Sequence, residues 1–116
     1  YLQIGSLWFY HGNHYGGINH SRNHLLRLGV NIMYGHWHDV QMHSVTHIDG
    51  PKSARSIGCL KDMEDESNRW LGNRKTNWQH AFAVVDYFTD TKFTVHVINI
   101  IDGRTSLWGE VLDGNA

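Results

Sequence analysis

The chain is organised around Asn31-Ile-Met-Tyr-Gly-His-Trp-His-Asp39, in which a short apolar run ends at a glycine and two histidines follow. The run from Val30 to Tyr34 is too short for a helix and predicts a buried strand. Residues i and i+2 share one face of a regular strand, so His36 and His38 project to the same side, and they can bind neighbouring metal ions at the sheet edge if the strand ends irregularly just before them. Gly35 supplies that irregularity. The stretch therefore predicts a strand that carries two imidazoles, the commonest metal-binding side chain, at its end.

The residues before this stretch predict a strand, a loop and a helix. Tyr1 to Tyr10 is rich in aromatic and branched residues and is expected to form one strand that ends at His11. Ser21 to Leu28 predicts a short helix, and Gly29 is well placed to cap its C-terminus. A right-handed crossover through this helix would make the two strands parallel neighbours. Because α/β sheets bind their ligands at such strand ends, all three histidines are expected at one edge of the sheet.

The rest of the chain predicts mostly antiparallel β structure. The polar segment from Lys61 to Asn77 is expected to be a surface loop with one helical turn. Further strands are expected at Val40 to Ile48, Ala54 to Leu60, Trp78 to Phe88, Phe93 to Ile101 and Ser106 to Leu112. This order predicts an α/β (α+β) layered fold with its helix content early, in a single domain that spans residues 1–116.

The composition is that of a globular domain except for its ten histidines, five tryptophans and twelve glycines. The formal charge of −1 leaves no basic field that would favour nucleic acid or an anionic membrane, so a phosphate-bearing substrate would be held by metal ions and a few local groups. No apolar run approaches the ~18 residues that span a bilayer, and no membrane partner is expected. Cys59 is the single cysteine and cannot form an intrachain disulfide, which fits a reducing, cytoplasmic compartment.

Two segments separated by a short helix, Trp8-Phe-Tyr-His11-Gly12 and Val30-Asn-Ile-Met-Tyr-Gly35-His36-Trp-His38, resemble the later half of the calcineurin-like metallophosphoesterases, in particular their small prokaryotic and phage members. In that family a strand ending in His-Gly is followed by a helix and by a strand ending in Gly-His-x-His. Ser56-Ile57-Gly58-Cys59 stands where the family has a Pro-Gly-Ser-like turn between β-hairpins. The resemblance implies that the chain is the C-terminal half of a four-layer αββα sandwich, a fragment of a larger metallophosphoesterase domain.

The resemblance also implies a two-metal site. His11 and His36 would bind one divalent ion and His38 the other, and the two divalent metal ions could be Mn, Zn, Fe or Ni. In such sites, ions about 3.5–4 Å apart activate a water that attacks phosphorus in an in-line displacement. The implied activity is metal-dependent hydrolysis of a phosphoester, as a phosphodiesterase or phosphatase. The family's substrates include nucleic acids and nucleotides.

The sequence departs from the family in its metal ligands. The family uses an earlier Asp-x-His and a Gly-Asp-x-x-Asp whose aspartate bridges the two ions, and neither motif occurs in these 116 residues. Both are therefore expected upstream in a longer protein. The family's Gly-Asn-His is matched in letters by Gly12-Asn13-His14, but this segment overlaps the His-Gly motif and is interpreted as a coincidence. His14 is still predicted to contact the substrate or the metal ligands.

Two alternatives stay open. A cupin-like barrel would bind one metal ion through His36, His38 and His43, since cupins place His-x-His, a carboxylate and a glycine at a similar spacing. Position 43 is a histidine where a carboxylate is wanted, and the predicted helix argues against such a barrel. The second alternative is non-catalytic: a histidine-rich binding module or an inactive remnant of a hydrolase.

Four further histidines are expected to be solvated. His20 and His24 form an i, i+4 pair on the predicted helix, and a solvated helix face is the expectation for both. His43 and His47 share one face of a strand and are expected to point to solvent. Asp39 directly follows the last candidate ligand, where it either caps the turn or orients an imidazole.

Overall fold

A computed structural model describes residues 1–115, which form nine β-strands, one α-helix and one 3₁₀ helix. In chain order these elements are β1 (Leu2–Ile4), β2 (Leu7–Tyr10), α1 (His20–Leu28), β3 (Asn31–Tyr34), β4 (Val40–His47), β5 (Gly50–Ile57), the 3₁₀ helix (Glu66–Leu71), β6 (Ala81–Thr89), β7 (Lys92–Asn99), β8 (Arg104–Leu107) and β9 (Glu110–Asp113). The fold is mixed α/β and mostly strands, which confirms the predicted class. No helix in these residues is long and apolar enough to cross a membrane.

The largest sheet has five strands in the order β1-β2-β3-β5-β4. Its three central strands are parallel, and each edge strand is antiparallel to its neighbour. The connection from β2 through α1 to β3 is the predicted crossover, and it pairs Tyr10 with Tyr34. The residues that follow these two tyrosines therefore leave the sheet side by side at one edge.

The helix α1 ends where the sequence predicts. Gly29 takes the left-handed conformation with a φ of 66°, and its N–H donates to the carbonyl oxygen of Leu25 at 2.9 Å. A residue with a Cβ is strained in this conformation, whereas glycine adopts it readily, which explains the abrupt end of the helix. The chain can then turn directly into β3.

One face of the five-stranded sheet packs against α1. The buried cluster on this face consists of Leu25, Ile32, Tyr34 and Ala54. Removing an aliphatic or aromatic side chain of this size from water stabilises a fold by about 1.5–3 kcal/mol. This small core fixes the angle between the helix and the strand ends that carry the histidines.

The β6–β7 hairpin covers the other face of the sheet. Met33 alternates with the residues that face α1, so it points away from the helix, and it is buried. At the tip of the hairpin, the carbonyl oxygen of Asp90 accepts the N–H of Ser6 at 2.7 Å. Just before β6, the carbonyl oxygen of Gln79 accepts the N–H of Cys59 at 3.0 Å. Helix, sheet and hairpin therefore form three layers.

Two of the predicted strands are wrong, because each region forms two shorter strands joined by a turn. Tyr1 to Tyr10 is a hairpin of β1 and β2, because the chain turns at Gly5 with a φ of +59°. A Cβ at Gly5 would lie 2.2 Å from the carbonyl oxygen of Asp90, so only glycine fits there. Ser106 to Leu112 is likewise divided between β8 and β9 by a turn with positive φ at residues 108–109. β5 also begins earlier than predicted.

Candidate metal centre

His11 and His36, together called the edge pair, meet at the end of the parallel strands. The pairing of β2 with β3 sets His11 beside Gly35, whose N–H donates to the carbonyl oxygen of His11 at 3.1 Å. His36 Nδ1 then lies 2.8 Å from His11 Nε2. The predicted approach of these two imidazoles is confirmed. Two ring nitrogens that face each other can share one proton or can both face a metal ion.

The backbone that carries the second and third candidate ligands is strained. His36 has a φ of 68° and His38 a φ of 62°, both in the left-handed region. A non-glycine residue in this region costs of order 1 kcal/mol, and such residues concentrate at functional sites. Trp37 between them holds the turn, since its Nε1–H donates to the carbonyl oxygen of Gly12 at 2.9 Å. The left-handed backbone at these two residues ends the extended strand and turns the chain at the sheet edge.

His38 follows His36 by two residues, does not join the edge pair, and has an unused ring nitrogen. Its Nδ1 is buried and has no hydrogen-bond partner among residues 1–115. The ring packs edge-on against Trp78 with 4.8 Å between centroids, and the backbone carbonyl accepts the N–H of Gln79 at 2.7 Å. A buried polar atom without a partner costs about 1–3 kcal/mol. An imidazole held in this way is suited to receive a ligand.

The electrostatics of the edge favour neutral imidazoles. Burial lowers the pKa of His38 below its ordinary value, and the positive charge of Lys61 and then the charge of His36 lower it further. The pKa of His36 is lowered by burial and by His11. Metal ions bind deprotonated imidazole, so both shifts keep these side chains in the binding form near neutral pH.

The three predicted ligands fit part of a metal centre. Within residues 1–115, no group of three or more His, Cys, Asp or Glu side chains is arranged around one possible ion. The edge pair fits two ligands of one ion, His38 stands apart from it, and no carboxylate joins them. The barrel of the cupin-like alternative is contradicted by the sheet topology of the described residues, whose central strands are parallel and whose five-stranded sheet is open.

His14 lies on the rim of an open depression that also includes His11. Its Nδ1 is 3.0 Å from the hydroxyl oxygen of Tyr1, and its ring packs against Tyr10. The side chain is exposed. His14 is thus placed near one of the edge histidines, and its predicted contact with substrate stays a prediction.

His20 and His24, together called the buried pair, are not on a solvated helix face, and that prediction is wrong. Their side chains point from α1 into the core and are almost completely excluded from solvent. His24 stacks on the ring of Tyr34 with 3.9 Å between centroids. Its Nδ1–H donates to the carbonyl oxygen of His20 at 2.7 Å, so its Nε2 accepts the hydroxyl proton of Tyr10. Burial raises the pKa of Tyr10 to about 12, which keeps that hydroxyl protonated.

Asp39 connects the buried pair to the strained turn. Both of its carboxylate oxygens lie 2.9 Å from His20 Nε2, which donates to them, while His20 Nδ1 lies 2.6 Å from the hydroxyl of Tyr34. The hydroxyl of Ser56 donates to the backbone oxygen of Asp39 at 2.8 Å. Asp39 therefore orients an imidazole, the second of the two predicted roles, and it anchors the residue that follows His38.

A polar cavity of about 480 Å³ opens beside Asp39. Its walls include Gln41, Thr76, Asn77 and Gln79 around the ring of Trp78. Trp78 is also the residue against which His38 packs, so the cavity adjoins the candidate metal edge. No local pattern predicts this cavity, because its two walls are distant in the chain and meet through hydrogen bonds of Gln79 with His38 and Val40.

No family model matches the chain, and no curated protein and no solved structure matches it at a significant level.

Proposed function

We propose that this chain is part of a metal-dependent phosphoester hydrolase that uses two divalent metal ions. The observation that carries the proposal is the 2.8 Å approach of His36 Nδ1 to His11 Nε2 at the ends of two parallel strands. The strand, helix and strand that bring them together follow each other in the order expected for a calcineurin-like metallophosphoesterase. The buried, unpartnered Nδ1 of His38 supports a separate third ligand.

The residues of this chain would have separate roles at the site. His11 and His36 would hold one ion and His38 the other. When bound, divalent ions supply water activation and neutralisation of phosphoryl charge. Trp78 packs against His38 and limits the access of bulk water to that ring. The left-handed backbone at His36 and His38 holds both imidazoles before a ligand arrives, which lowers the entropic cost of binding.

The layer order supports the same proposal at the level of the fold. Helix α1, the five-stranded sheet and the β6–β7 hairpin would be three of the four layers of an αββα sandwich. We infer that the carboxylate ligands, including the bridging aspartate, come from residues outside this sequence. With them the donor set would suit Mn, Zn, Fe or Ni.

Metal binding by this chain is the first test. Calorimetric titration with Zn²⁺ and with Mn²⁺ is expected to detect binding that His11→Ala and His36→Ala each weaken about tenfold or more, since each removes one ligand. His47→Ala, in an exposed position on β4, is the matched control and is expected to bind as the unaltered chain does. Equal affinity in His36→Ala would sink the proposed metal site.

Hydrolysis is the second test and requires the complete reading frame. The full-length protein is expected to hydrolyse bis(p-nitrophenyl) phosphate with added Mn²⁺, and His36→Ala is expected to abolish most of this activity. Full activity in the variant would remove the assignment as a phosphoesterase.

A second candidate is a non-catalytic, histidine-rich metal-binding module. The observation that favours it is that no carboxylate joins the edge pair within residues 1–115. A bridging carboxylate normally holds the second ion, and three imidazoles alone hold two ions poorly. The two candidates differ in one result: a module would bind metal in the titration and show no hydrolysis in the full-length protein.

A further inference from the structure

Beyond the histidines, we propose that Lys61 binds a phosphoryl oxygen of the substrate beside His38. The proposal deepens the proposed function and rests on it for the identity of the substrate. The ligand class is the phosphoryl group of a phosphoester, and inorganic phosphate is its simplest probe. Lys61 lies in the polar segment that the sequence predicts to be a surface loop, and no motif identifies it.

Lys61 and His38 share Trp78 as a neighbour. The Lys61 ammonium lies 5.4 Å from the centre of the Trp78 ring, within the range of a cation–π contact. His38 packs edge-on against the same ring with 4.8 Å between centroids. Both side chains therefore lie against one indole ring.

Hydrogen bonds to the backbone hold both Lys61 and His38 close to Trp78. His80 Nε2–H donates to the carbonyl oxygen of Lys61 at 2.6 Å, and Cys59 pairs with His80 in an isolated parallel bridge. On the other side, Gln79 donates its backbone N–H to His38 and accepts the N–H of Val40 through its side-chain oxygen at 2.9 Å. The lysine and the histidine are therefore held to the same short segment before β6.

In the described part of the chain Lys61 forms no ion pair with a carboxylate, although its charge contributes to lowering the pKa of the exposed Asp65. Lys52, Arg69 and Arg104 each form an ion pair with an acidic side chain, whereas Lys61 forms none. A cation beside imidazoles that bind metal cations repels those metals. An anionic substrate would offset this repulsion, because its phosphoryl oxygens attract both the ammonium and the metal ions.

The position of Lys61 predicts different effects of one substitution on phosphate binding and on metal binding. Lys61→Met keeps an apolar side chain on Trp78 and removes the charge. We expect it to weaken the binding of inorganic phosphate to the metal-free chain about fivefold or more, measured by NMR shifts of the Trp78 indole N–H and the His38 ring. We expect the same variant to bind Zn²⁺ as tightly as the unaltered chain or more tightly, because a repulsive charge is gone.

Two further variants complete the test. Lys61→Arg retains the cation and is expected to retain phosphate binding, and Lys92→Met, in an exposed position at the tip of the β6–β7 hairpin, is expected to leave both affinities unchanged. Unaltered phosphate affinity in Lys61→Met overturns the proposal. A parallel loss of phosphate and Zn²⁺ affinity also overturns it, because a purely structural role weakens both.

The phosphate-binding test of Lys61 and the metal-binding test of the proposed function can fail independently. The phosphate titration uses the chain without metal, so it does not depend on whether His11 and His36 bind an ion. Loss of phosphate binding in Lys61→Met together with absent metal binding supports an anion site and removes the hydrolase. Normal metal binding with unaltered phosphate affinity removes only the role of Lys61.

Discussion

The buried pair and the edge pair use the same side chain in opposite ways. His20 and His24 are enclosed by the core, and both ring nitrogens of each are hydrogen-bonded. His11 and His36 lie exposed at the strand ends, and among the described residues their ring nitrogens contact only each other. A histidine whose nitrogens are all engaged stabilises the fold, whereas a histidine facing another imidazole is available to a ligand.

The two pairs also differ in their effect on the stability of the folded protein. The buried pair belongs to a network that includes Asp39, so its members stabilise one another and the loss of one leaves the others unpaired. The edge pair is attached to a backbone in the left-handed region at His36, which destabilises the free protein. Substitutions should therefore lower stability at the buried pair and spare it at the edge pair.

The largest expected effect is that of Asp39→Ala. It removes the carboxylate that accepts from His20 and from Ser56 and leaves both groups buried without that acceptor. We expect a loss of about 3 kcal/mol in the free energy of unfolding, measured by urea denaturation. Asp49→Ala is the control: Asp49 pairs with Lys52 at the surface, and no measurable loss is expected. A loss below about 1 kcal/mol for Asp39→Ala would show that the buried network is not a main source of stability.

Tyr34→Phe tests a single bond of the same network. The hydroxyl of Tyr34 donates to His20 Nδ1 at 2.6 Å, and without it that nitrogen is buried and unpaired. We expect a loss of about 1–2 kcal/mol in the free energy of unfolding. Tyr87→Phe removes an exposed hydroxyl that donates to the carbonyl oxygen of Ile4, and a smaller loss is expected there. Equal losses in the two variants would contradict the distinction between buried and exposed bonds.

A smaller effect is expected from the titration of His24. Burial lowers its pKa below the ordinary value of 6.5, so the unfolded chain takes up a proton at higher pH than the folded chain does. The stability is therefore complete above about pH 6.5 and falls as the pH drops from there towards the lowered pKa. Urea denaturation at pH 7.5 and 5.5 measures this loss.

His24→Gln is expected to reduce that pH dependence, although it lowers stability at both pH values. Part of the dependence should remain, because the pKa of His36 and that of His38 are also lowered in the fold. His47→Gln, at an exposed strand position, should leave the dependence as it is. An unchanged difference between the two pH values in His24→Gln would exclude His24 as its source.

The smallest effect on stability, and the sharpest contrast with the buried pair, is expected for His36→Gly. Glycine relieves the left-handed strain at this position, and we expect stability to be unchanged or raised by roughly 0.5 kcal/mol. Metal affinity should fall at least as far as in His36→Ala. A protein that becomes less stable while it keeps its metal affinity would reverse the roles assigned to the two pairs.

The local sequence pattern was sufficient to predict the helix and strand next to the candidate site. The apolar run that ends at Gly35 and the helix that ends at Gly29 both follow from the sequence, and with the right-handed crossover they bring His11 next to His36. The sequence pattern does not predict the hairpin of β1 and β2. Its turn requires glycine because the carbonyl oxygen of Asp90, far along the sequence, lies close to Gly5.

The burial of His24 on α1 agrees with a helical pattern in the sequence. Ser21, His24, Leu25 and Leu28 occupy positions i, i+3, i+4 and i+7, the pattern of a helix face turned towards a core. Because histidine is usually solvated, the pattern alone does not predict that His24 is buried. Its acceptance in the core depends on partners from β2 and β3, Tyr10 and Tyr34, which no helical pattern can identify.

The sequence alone determined where the strands next to the site end and which imidazoles stand there, because glycine positions and apolar runs act over a few residues. Only the tertiary structure decided which histidines are enclosed, since enclosure depends on strands that are distant in the chain. It also decided that His36 and His38 adopt left-handed backbone, and that Lys61 and Trp78 lie beside His38. Those contacts arise from packing β6 against the end of β5, and no local preference of residues 59–80 specifies them.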